Sequence, residues 1–151
     1  MIGRKLMGSN MECGMLIKRI NDRIARMSNN ELRASELTLS QLRYLEYLYD
    51  QQDTEAHFKN LESFFGVSQP TVVGVLKRLE RKGLVSTQLS AAGGNVKTAH
   101  LTENGKALYE DSRTYRNDVE QTLLVPLDAQ EQAMFHEMPR KVCMHLEKSQ
   151  E

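Results

Sequence analysis

Residues 68–83 alternate between hydrophobic and polar positions with the period of an amphipathic helix. The apolar positions are spaced i, i+3, i+4 and i+7 and are occupied by Val72, Val75, Leu76 and Leu79. Ser68 precedes the run and predicts a side-chain cap, while Pro70 is tolerated in the first turn because the amides there lack helical partners. Gly83 follows a charged run and predicts a left-handed C-terminal cap.

The opposite face of this predicted helix is polar and partly basic. It is formed by Pro70, Val73, Gly74, Lys77, Arg78 and Arg81. A glycine such as Gly74 costs about 1 kcal/mol relative to alanine inside a helix, and close approach to another surface is one reason to keep it. The alternative is a charged face that contacts only water.

Two short strands after the helix predict a hairpin. Residues 84–89 and 96–101 have strand-like composition, and residues 90–95 between them contain two adjacent glycines and read as a turn. No acidic residue lies between Arg81 and His100, so the tip of the hairpin carries no negative charge. Thr102 is expected to cap the next helix.

The segment before the capped helix predicts a shorter helix. Residues 57–65 are expected to place Leu61, Phe64 and Phe65 toward the core, and Gly66 predicts a tight turn. A short helix, a glycine turn and a second helix are typical of a helix-turn-helix.

A further helix is predicted upstream. Thr38 and Gln41 have the spacing of a capping box, and the helix that they open runs to about Gln52. Its apolar face is formed by Leu42, Leu45, Leu48 and Tyr49.

Three segments in this order, LTLSQLRYLEYL, NLESFFGVSQPTVVGVLKRLERKGLV and LTENGKAL, resemble the MarR family of bacterial transcriptional regulators over nearly the whole chain. The resemblance implies a mainly α fold with a small β hairpin (α+β), in which a winged helix-turn-helix lobe lies between long dimerisation helices. It also implies an obligate homodimer that binds palindromic operators on double-stranded DNA. Such proteins are usually repressors that a small ligand or oxidation releases.

The chain departs from the family pattern at two places. Family wings often carry an Asp-x-Arg pair at the tip, whereas residues 93–97 here contain neither residue, and Asn95 or Lys97 would have to substitute. The first helix of the motif has Glu62 after Leu61, where the family usually has alanine. A glutamate at that position is expected to face solvent or to pair with a cation.

The predicted organisation has three parts: an N-terminal dimerisation helix (1–36), a DNA-binding lobe (37–106) and C-terminal dimerisation helices (107–151). The first helix has an apolar face at Met15, Leu16, Ile17, Ile20, Ile24 and Met27. The downstream helix, expected to run from Thr102 to Pro126, has one at Ala107, Leu108, Tyr115, Val119, Leu123 and Leu124. The last helix, with a kink expected at Pro139, has one at Met134, Phe135, Met138, Val142 and Leu146. An intramolecular helix bundle is the alternative to a dimer.

The 151-residue chain has no net charge, but its charge is unevenly distributed. Residues 1–56 hold 8 basic and 8 acidic residues, residues 57–106 hold 7 and 3, and residues 107–151 hold 5 and 9. The balances are therefore 0, +4 and −4. The positive charge is confined to the predicted DNA-binding lobe, which suits a polyanionic partner.

The start of the predicted recognition helix carries the strongest site hypothesis. Ser68 and Pro70 mark the helix end that suits phosphates, Gln69 could read adenine, and Thr71 could contact a thymine methyl group or a phosphate. Further along, Val73 offers an apolar contact. The expected backbone contacts come from Lys77, Arg78, Asn95 and Lys97.

Two weaker site hypotheses concern release from DNA. A cleft lined by Arg26, Arg43, Tyr44, Tyr47 and Tyr115 could bind a small aromatic or carboxylate effector, although packing and surface roles are the alternative. Cys13 and Cys143 could form a redox switch in the dimer, because peroxide-sensing members of the family carry cysteines at similar places. The aromatic residues that usually follow the sensing cysteine are absent, and two ordinary reduced thiols are the alternative.

Other functional classes find little support in the sequence. No nucleophile–base set, phosphate loop or metal-ligand spacing is recognisable, so we expect no enzymatic activity, no cofactor and no metal. No apolar run approaches the length of a membrane span, and a cytoplasmic location is expected. The main alternative function is a winged-helix module that binds another protein without sequence-specific DNA binding.

Overall fold

The computed structural model describes residues 11–149. It contains seven α-helices and three strands in these residues, in the order α1 (Cys13–Glu31), α2 (Leu39–Asp50), β1 (Ala56–His57), α3 (Phe58–Phe65), α4 (Gln69–Arg81), β2 (Val85–Leu89), β3 (Lys97–Leu101), α5 (Glu103–Asp111), α6 (Arg113–Leu124) and α7 (Ala129–Lys148). A 3₁₀ turn, Leu32–Ser35, follows α1. The predicted fold class, mainly helical with a small sheet, is confirmed.

The chain divides into two compact units, one ending at Arg113 and one beginning at Thr114. The first unit holds the predicted DNA-binding lobe together with α1, and the second holds most of α6 and all of α7. The proposed boundaries at 36/37 and 106/107 stay predictions, and residues 1–10 of the first predicted segment lie outside the described part of the chain.

The capping box at the start of α2 is confirmed. The Thr38 hydroxyl accepts from the Gln41 amide at 3.2 Å, and the Gln41 side chain accepts from the Thr38 amide at 3.2 Å. The helix then places Leu42, Leu45 and Leu48 in the core, each no more than 2% exposed. Because both ends of the capping pair are satisfied locally, α2 has a fixed start against which the other elements pack.

The sheet is antiparallel, with the strand order β1–β3–β2. Val85 pairs with Leu101 and Leu89 pairs with Lys97, so β2 and β3 form the predicted hairpin. Each strand begins one residue later than predicted. On the other edge of β3, Ala56 pairs with Ala99. The sequence did not predict β1, because a strand of two residues has no periodicity to detect.

The segment LTENGKAL forms a tightly packed corner at the start of α5. The Thr102 hydroxyl accepts from the Gly105 amide at 3.0 Å and donates to the Gly83 carbonyl at 2.6 Å. The Thr102 amide also donates to the Leu84 carbonyl at 3.1 Å. Gly105 is buried, and a Cβ there would lie 2.0 Å from the Leu84 carbonyl oxygen. The glycine is therefore required by the close approach of two backbones.

Two predictions in this region were wrong in detail. Phe64 was expected to point inward but is 66% exposed, because the buried face of α3 is formed by Phe58 and Leu61. The long helix expected from Thr102 to Pro126 is divided at Ser112, whose hydroxyl donates to the Tyr109 carbonyl at 2.6 Å. A serine that bonds back to the preceding turn competes with the continuing helix.

In the second unit, α7 begins with a capping box. The Asp128 carboxylate accepts from the Gln130 and Glu131 amides at 2.9 Å, and the Glu131 side chain accepts from the Asp128 amide. Pro139 lies inside α7, which continues to Lys148. The His136 ring lies 3.2 Å from the Glu120 carboxylate and connects α7 to α6.

The predicted apolar face of α7 is exposed in the part of the chain that the structure describes. Its members are between 38 and 57% exposed and are Met134, Phe135, Met138, Val142 and Leu146. No residue of α7 is buried. None of the helices in the described residues is long and apolar enough to cross a membrane.

Candidate nucleic-acid interface

The first turn of α4 begins where the sequence predicted but is closed differently. Ser68 occupies the N-cap position, yet its side chain caps no amide and instead lies 3.1 Å from the Thr71 hydroxyl. The Thr71 and Val72 amides donate to the Ser68 carbonyl at 3.0 and 3.2 Å. Pro70 has no amide hydrogen, and the Thr71 amide already donates to the Ser68 carbonyl, so neither donates to the Ser68 side chain. The predicted side-chain cap was therefore wrong. The result is a pair of exposed hydroxyls at the helix start.

The remainder of α4 has the predicted division into two faces. Val72, Val75, Leu76 and Leu79 are buried, each no more than 5% exposed. On the other face, Gln69, Pro70, Thr71, Lys77, Arg78 and Arg81 are exposed, and Val73 and Gly74 are half-buried. A Cβ at Gly74 would meet only the Arg78 guanidinium, at 3.9 Å. This glycine is therefore not required by packing within the chain.

The turn before α4 fixes the direction in which that helix leaves α3. Gly66 ends α3 in a left-handed conformation, with φ of 60°, and the Val67 amide donates to the Glu62 carbonyl at 3.1 Å. At the other end of α4, Gly83 has φ of 69° and the Leu84 amide donates to the Leu79 carbonyl at 3.0 Å. The predicted tight turn at Gly66 and the predicted cap at Gly83 are confirmed, and they hold α4 between α3 and the hairpin.

The hairpin is attached to α4 by one acidic side chain. The Glu80 carboxylate accepts from the Thr87 amide at 3.1 Å and from the Thr87 hydroxyl at 3.0 Å. Beyond β2 the chain turns through Gly93 and Gly94, which have φ of 89° and 83°. Residues 91–97 are exposed, and we refer to residues 90–96 as the wing tip.

An open groove of about 540 Å³ separates α4 from the wing tip. We refer to it as the α4–wing groove, and its lining consists of Phe58, Lys59, Glu62, Gln69, Val73, Asn95, Val96 and Lys97. The groove brings together four of the predicted contact residues, two from α4 and two from the wing. It also adds Lys59 and Glu62 of α3, which were not predicted as site residues. Lys77 and Arg78 lie further along the exposed face of α4, outside this groove.

A second acidic residue, Glu55, lies at the base of the wing tip. Its carboxylate accepts from the Ser90 hydroxyl at 2.5 Å and from the Ala91 amide at 3.0 Å. The Ser90 hydrogen bond, followed by the Ala91 amide, holds the pKa of Glu55 below its usual value. This contact has no local signal in the sequence, since the partners are 35 and 36 residues apart.

A smaller cleft of about 330 Å³ lies between α1, α2 and the α3–α4 turn, and we refer to it as the α1–α2 cleft. Of the predicted effector residues, Arg43 and Tyr44 line it, together with Ala25, Asn29, Thr38, Leu39, Ser40, Phe65, Val67 and Thr71. Arg26 and Tyr47 are not part of its lining. Tyr115 belongs to the second unit.

Tyr44 is the unusual residue of this cleft. Its ring stacks on Phe65 with centroids 4.3 Å apart and an interplanar angle of 2°. The residue is 3% exposed, and its hydroxyl has no hydrogen-bond partner among the described residues. Burial raises the pKa of Tyr44, so the hydroxyl keeps its proton. An unpaired buried hydroxyl is costly and calls for a partner.

The two cysteines of the predicted redox pair are in different units. Cys13 and Cys143 are both free and exposed, one in each unit. The described residues contain no cluster of three or more histidine, cysteine, aspartate or glutamate residues that could hold a metal ion.

Comparison with known proteins identifies the architecture. Residues 35–94 match the model of the MarR family. The S. aureus MepR–DNA complex has a TM-score of 0.81 at 24% identity, with 90% of this chain and 99% of MepR covered. A crystal structure of MarR has a TM-score of 0.85 at 19% identity, with 95% and 97% covered. Bordetella bronchiseptica BpsR, whose DNA binding is regulated by 6-hydroxynicotinic acid, has a TM-score of 0.79 at 23% identity, with 91% and 96% covered. Residues 35–94 are therefore similar to the MarR family, and the chain has the fold of these three proteins.

Proposed function

We propose that this protein is a transcriptional regulator that binds double-stranded DNA as a homodimer. The observation that carries the proposal is the α4–wing groove, which gathers Gln69, Val73, Asn95 and Lys97 on one exposed surface of the lobe with a positive charge balance. The similarity to MepR, a protein solved in complex with DNA, supports the same use of the fold.

In this proposal α4 enters the major groove and the wing follows the adjacent backbone. Gln69 has the amide group that pairs with the edge of adenine, and Val73 beside it offers an apolar contact. Lys77 and Arg78 are exposed on the same helix and neutralise phosphates. Lys97, at the start of β3, replaces the arginine that is missing from this wing. The exposed hydroxyls of Ser68 and Thr71 are available to phosphates at the helix start.

The dimer is supported by the uncovered apolar face of α7. Five large apolar side chains in one stripe are rare on a stable monomer, and a second copy of the same helix is a self-complementary partner. A two-fold dimer presents two copies of α4, so its operator is a palindrome. We further propose that the protein is a repressor, because a dimer bound over an operator blocks access to the same DNA.

The test of base reading is the substitution Gln69→Ala. We expect it to reduce discrimination at one base pair of each half-site by about 1–3 kcal/mol, because it removes a bidentate contact. Affinity for random duplex DNA should stay unchanged, since the phosphate contacts remain. The measurement is a competition assay with every base substituted at each operator position.

Gln52→Ala is the matched control for this experiment. Gln52 is an exposed glutamine that follows α2 and lies outside α4 and the wing. We expect it to leave discrimination unchanged at all positions. Loss of affinity for every sequence with Gln69→Ala, without a change in discrimination, would contradict base reading by this residue.

Release from DNA is assigned to a small aromatic carboxylate bound in the α1–α2 cleft. Its support is that Arg43, a cation, and the unpartnered hydroxyl of Tyr44 both line this cleft. We expect Tyr44→Phe to keep or raise the melting temperature, because it removes an unpaired buried group, and to weaken binding of 6-hydroxynicotinate or benzoate by about tenfold. Equal binding by Tyr44→Phe and the wild type in calorimetry would exclude this cleft.

Oxidation is the second proposed route of release. Cys13 and Cys143 are both exposed, as a redox pair must be. Peroxide treatment followed by a non-reducing gel tests this route. A thiol-reversible dimer band that requires both cysteines would support it, and unchanged DNA binding after peroxide would remove it.

A further inference from the structure

The wing tip is connected to the rest of the lobe through one side chain. In the described residues, every hydrogen bond between residues 90–96 and the chain outside the hairpin ends on the Glu55 carboxylate. One oxygen of Glu55 accepts from Ser90 at 2.5 Å, and the other accepts from the Ala91 amide at 3.0 Å. Both oxygens are therefore used to hold the first half of the tip.

Ser90 connects the Glu55 carboxylate to the rest of the wing tip. Its hydroxyl, besides donating to Glu55, accepts from the Ala92 amide at 3.2 Å. Its amide donates to the Val96 carbonyl at 2.7 Å, across the hairpin. Ser90 is 7% exposed, whereas residues 91–97 are all exposed. The buried serine is thus the one fixed point from which the two-glycine turn extends.

Glu55 is itself held in place by the sheet. It precedes β1, whose Ala56 and His57 pair with Ala99 and Thr98 of β3. The His57 ring lies 3.8 Å from the Glu55 carboxylate. The same strand leads directly into α3, which carries Lys59 and Glu62 into the α4–wing groove. The carboxylate therefore connects the wing tip to the other wall of that groove.

We propose that Glu55 is the positioning residue of the wing, which holds the tip so that Asn95 and Lys97 face the α4–wing groove. The inference rests on the proposed DNA-binding function and adds to it a residue that need not touch DNA. Two adjacent glycines make the tip flexible, and a flexible tip must be ordered when it binds. The contacts of Glu55 order the wing tip before DNA binds, in a wing that lacks the usual Asp-x-Arg pair.

The sign of one substitution separates positioning from simple electrostatics. Glu55→Gln removes a negative charge near the DNA-facing surface, which by charge alone would strengthen DNA binding. A positioning role predicts the opposite, because a neutral amide is a weaker acceptor for Ser90 and Ala91. We expect Glu55→Gln to weaken affinity for operator DNA by about tenfold.

Asp53→Asn is the matched control, because Asp53 is exposed, precedes Glu55 by two residues and takes part in no ion pair among the described residues. It should bind DNA as tightly as the wild type or a few-fold more tightly, as expected for the loss of a repulsive charge. Both substitutions remove one negative charge, but only the Glu55 carboxylate accepts hydrogen bonds from the wing tip.

A double-mutant cycle with Lys97→Ala identifies the contact through which Glu55 acts. Lys97→Ala alone should weaken binding to all sequences and reduce the salt slope by about one. In the Lys97→Ala background, Glu55→Gln should have less than about a third of its effect in the wild type. Equal effects in both backgrounds, or tighter binding by Glu55→Gln, would overturn the proposal.

Hydrogen exchange of the wing separates this proposal from the proposed function. Glu55→Gln should accelerate exchange of the Ala91 and Ala92 amides while the amides of α2 and α4 stay protected. If the wild type binds no duplex DNA, the proposed function is wrong, and unchanged exchange at Ala91 would then overturn the attachment as well. Faster exchange at Ala91 together with weaker operator binding supports both.

Discussion

Replacement of Gly105 by alanine is expected to lower the free energy of unfolding by about 3 kcal/mol or more. The added methyl group would lie 2.0 Å from the Leu84 carbonyl oxygen and 3.2 Å from the Leu101 side chain. A backbone oxygen cannot rotate away as a flexible side chain can. The start of α5 would therefore have to move away from the turn between α4 and β2.

This movement would break several hydrogen bonds that meet at the same corner. Thr102 is bonded to both Gly83 and Leu84, and its hydroxyl also caps Gly105. Thermal unfolding followed by circular dichroism should show a melting temperature lower by about 10 °C. If Gly105→Ala gives no folded protein on expression, the substitution has lowered the free energy of unfolding by more than this.

Gly74→Ala is the matched control, because it makes the same substitution in a helix where space is available. The nearest atom to the new Cβ would be the Arg78 side chain, at 3.9 Å. Alanine should raise stability by up to about 1 kcal/mol at this position. Equal melting temperatures for Gly105→Ala and the wild type would show that the α5 corner is not as close-packed as described.

Val142→Asp is expected to convert the dimer to a monomer and to weaken operator binding by more than about 100-fold. Val142 lies in the centre of the apolar face of α7 and is 52% exposed in the single chain. In a dimer this face is covered, so the substitution would place a carboxylate in an apolar interface without a cation. Separated protomers can contact one half-site each, which removes the gain from simultaneous binding.

Sedimentation equilibrium and operator titration on the same samples measure both effects. Arg140→Asp is the control, because Arg140 lies on the opposite side of α7 at helical spacing and is exposed. It should leave the mass of the dimer unchanged. A wild-type protein that sediments as a monomer at micromolar concentration, or a dimeric Val142→Asp, would contradict the proposed interface.

The helices could be predicted from the sequence because their signals are local. The capping box at Thr38, the tight turn at Gly66 and the glycine cap at Gly83 each depend on residues within one or two turns. The apolar stripe of α4 similarly specifies its buried face. The structure confirms these predictions because nothing distant in the chain opposes them.

The failures arise where distant residues or competing partners decide. Ser68 lost its predicted capping role to the Thr71 hydroxyl, and Phe64 was excluded from a core filled by Leu61. The strand β1 exists only because Ala56 meets β3. Tertiary packing determined the outcome for Phe64 and β1, whereas the neighbouring Pro70 and Thr71 determined it for Ser68.

The exposed face of α4 could be predicted, because periodicity defines it, and this face holds the proposed contact residues of that helix. Lys59 and Glu62 join the groove because the glycine turn places α3 beside the wing. Glu55 could not be predicted, since its partner Ser90 is brought near only by the pairing of β1 with β3.

Selection of bound sites from random duplex DNA tests the central claim most directly. We expect enrichment of a palindrome whose half-sites are centred roughly 10 base pairs apart, as a two-fold dimer with two copies of α4 requires. Binding to the selected site should weaken steeply as the salt concentration rises. No enrichment at any salt concentration, with stable binding to a protein instead, would contradict it and favour the protein-interaction module.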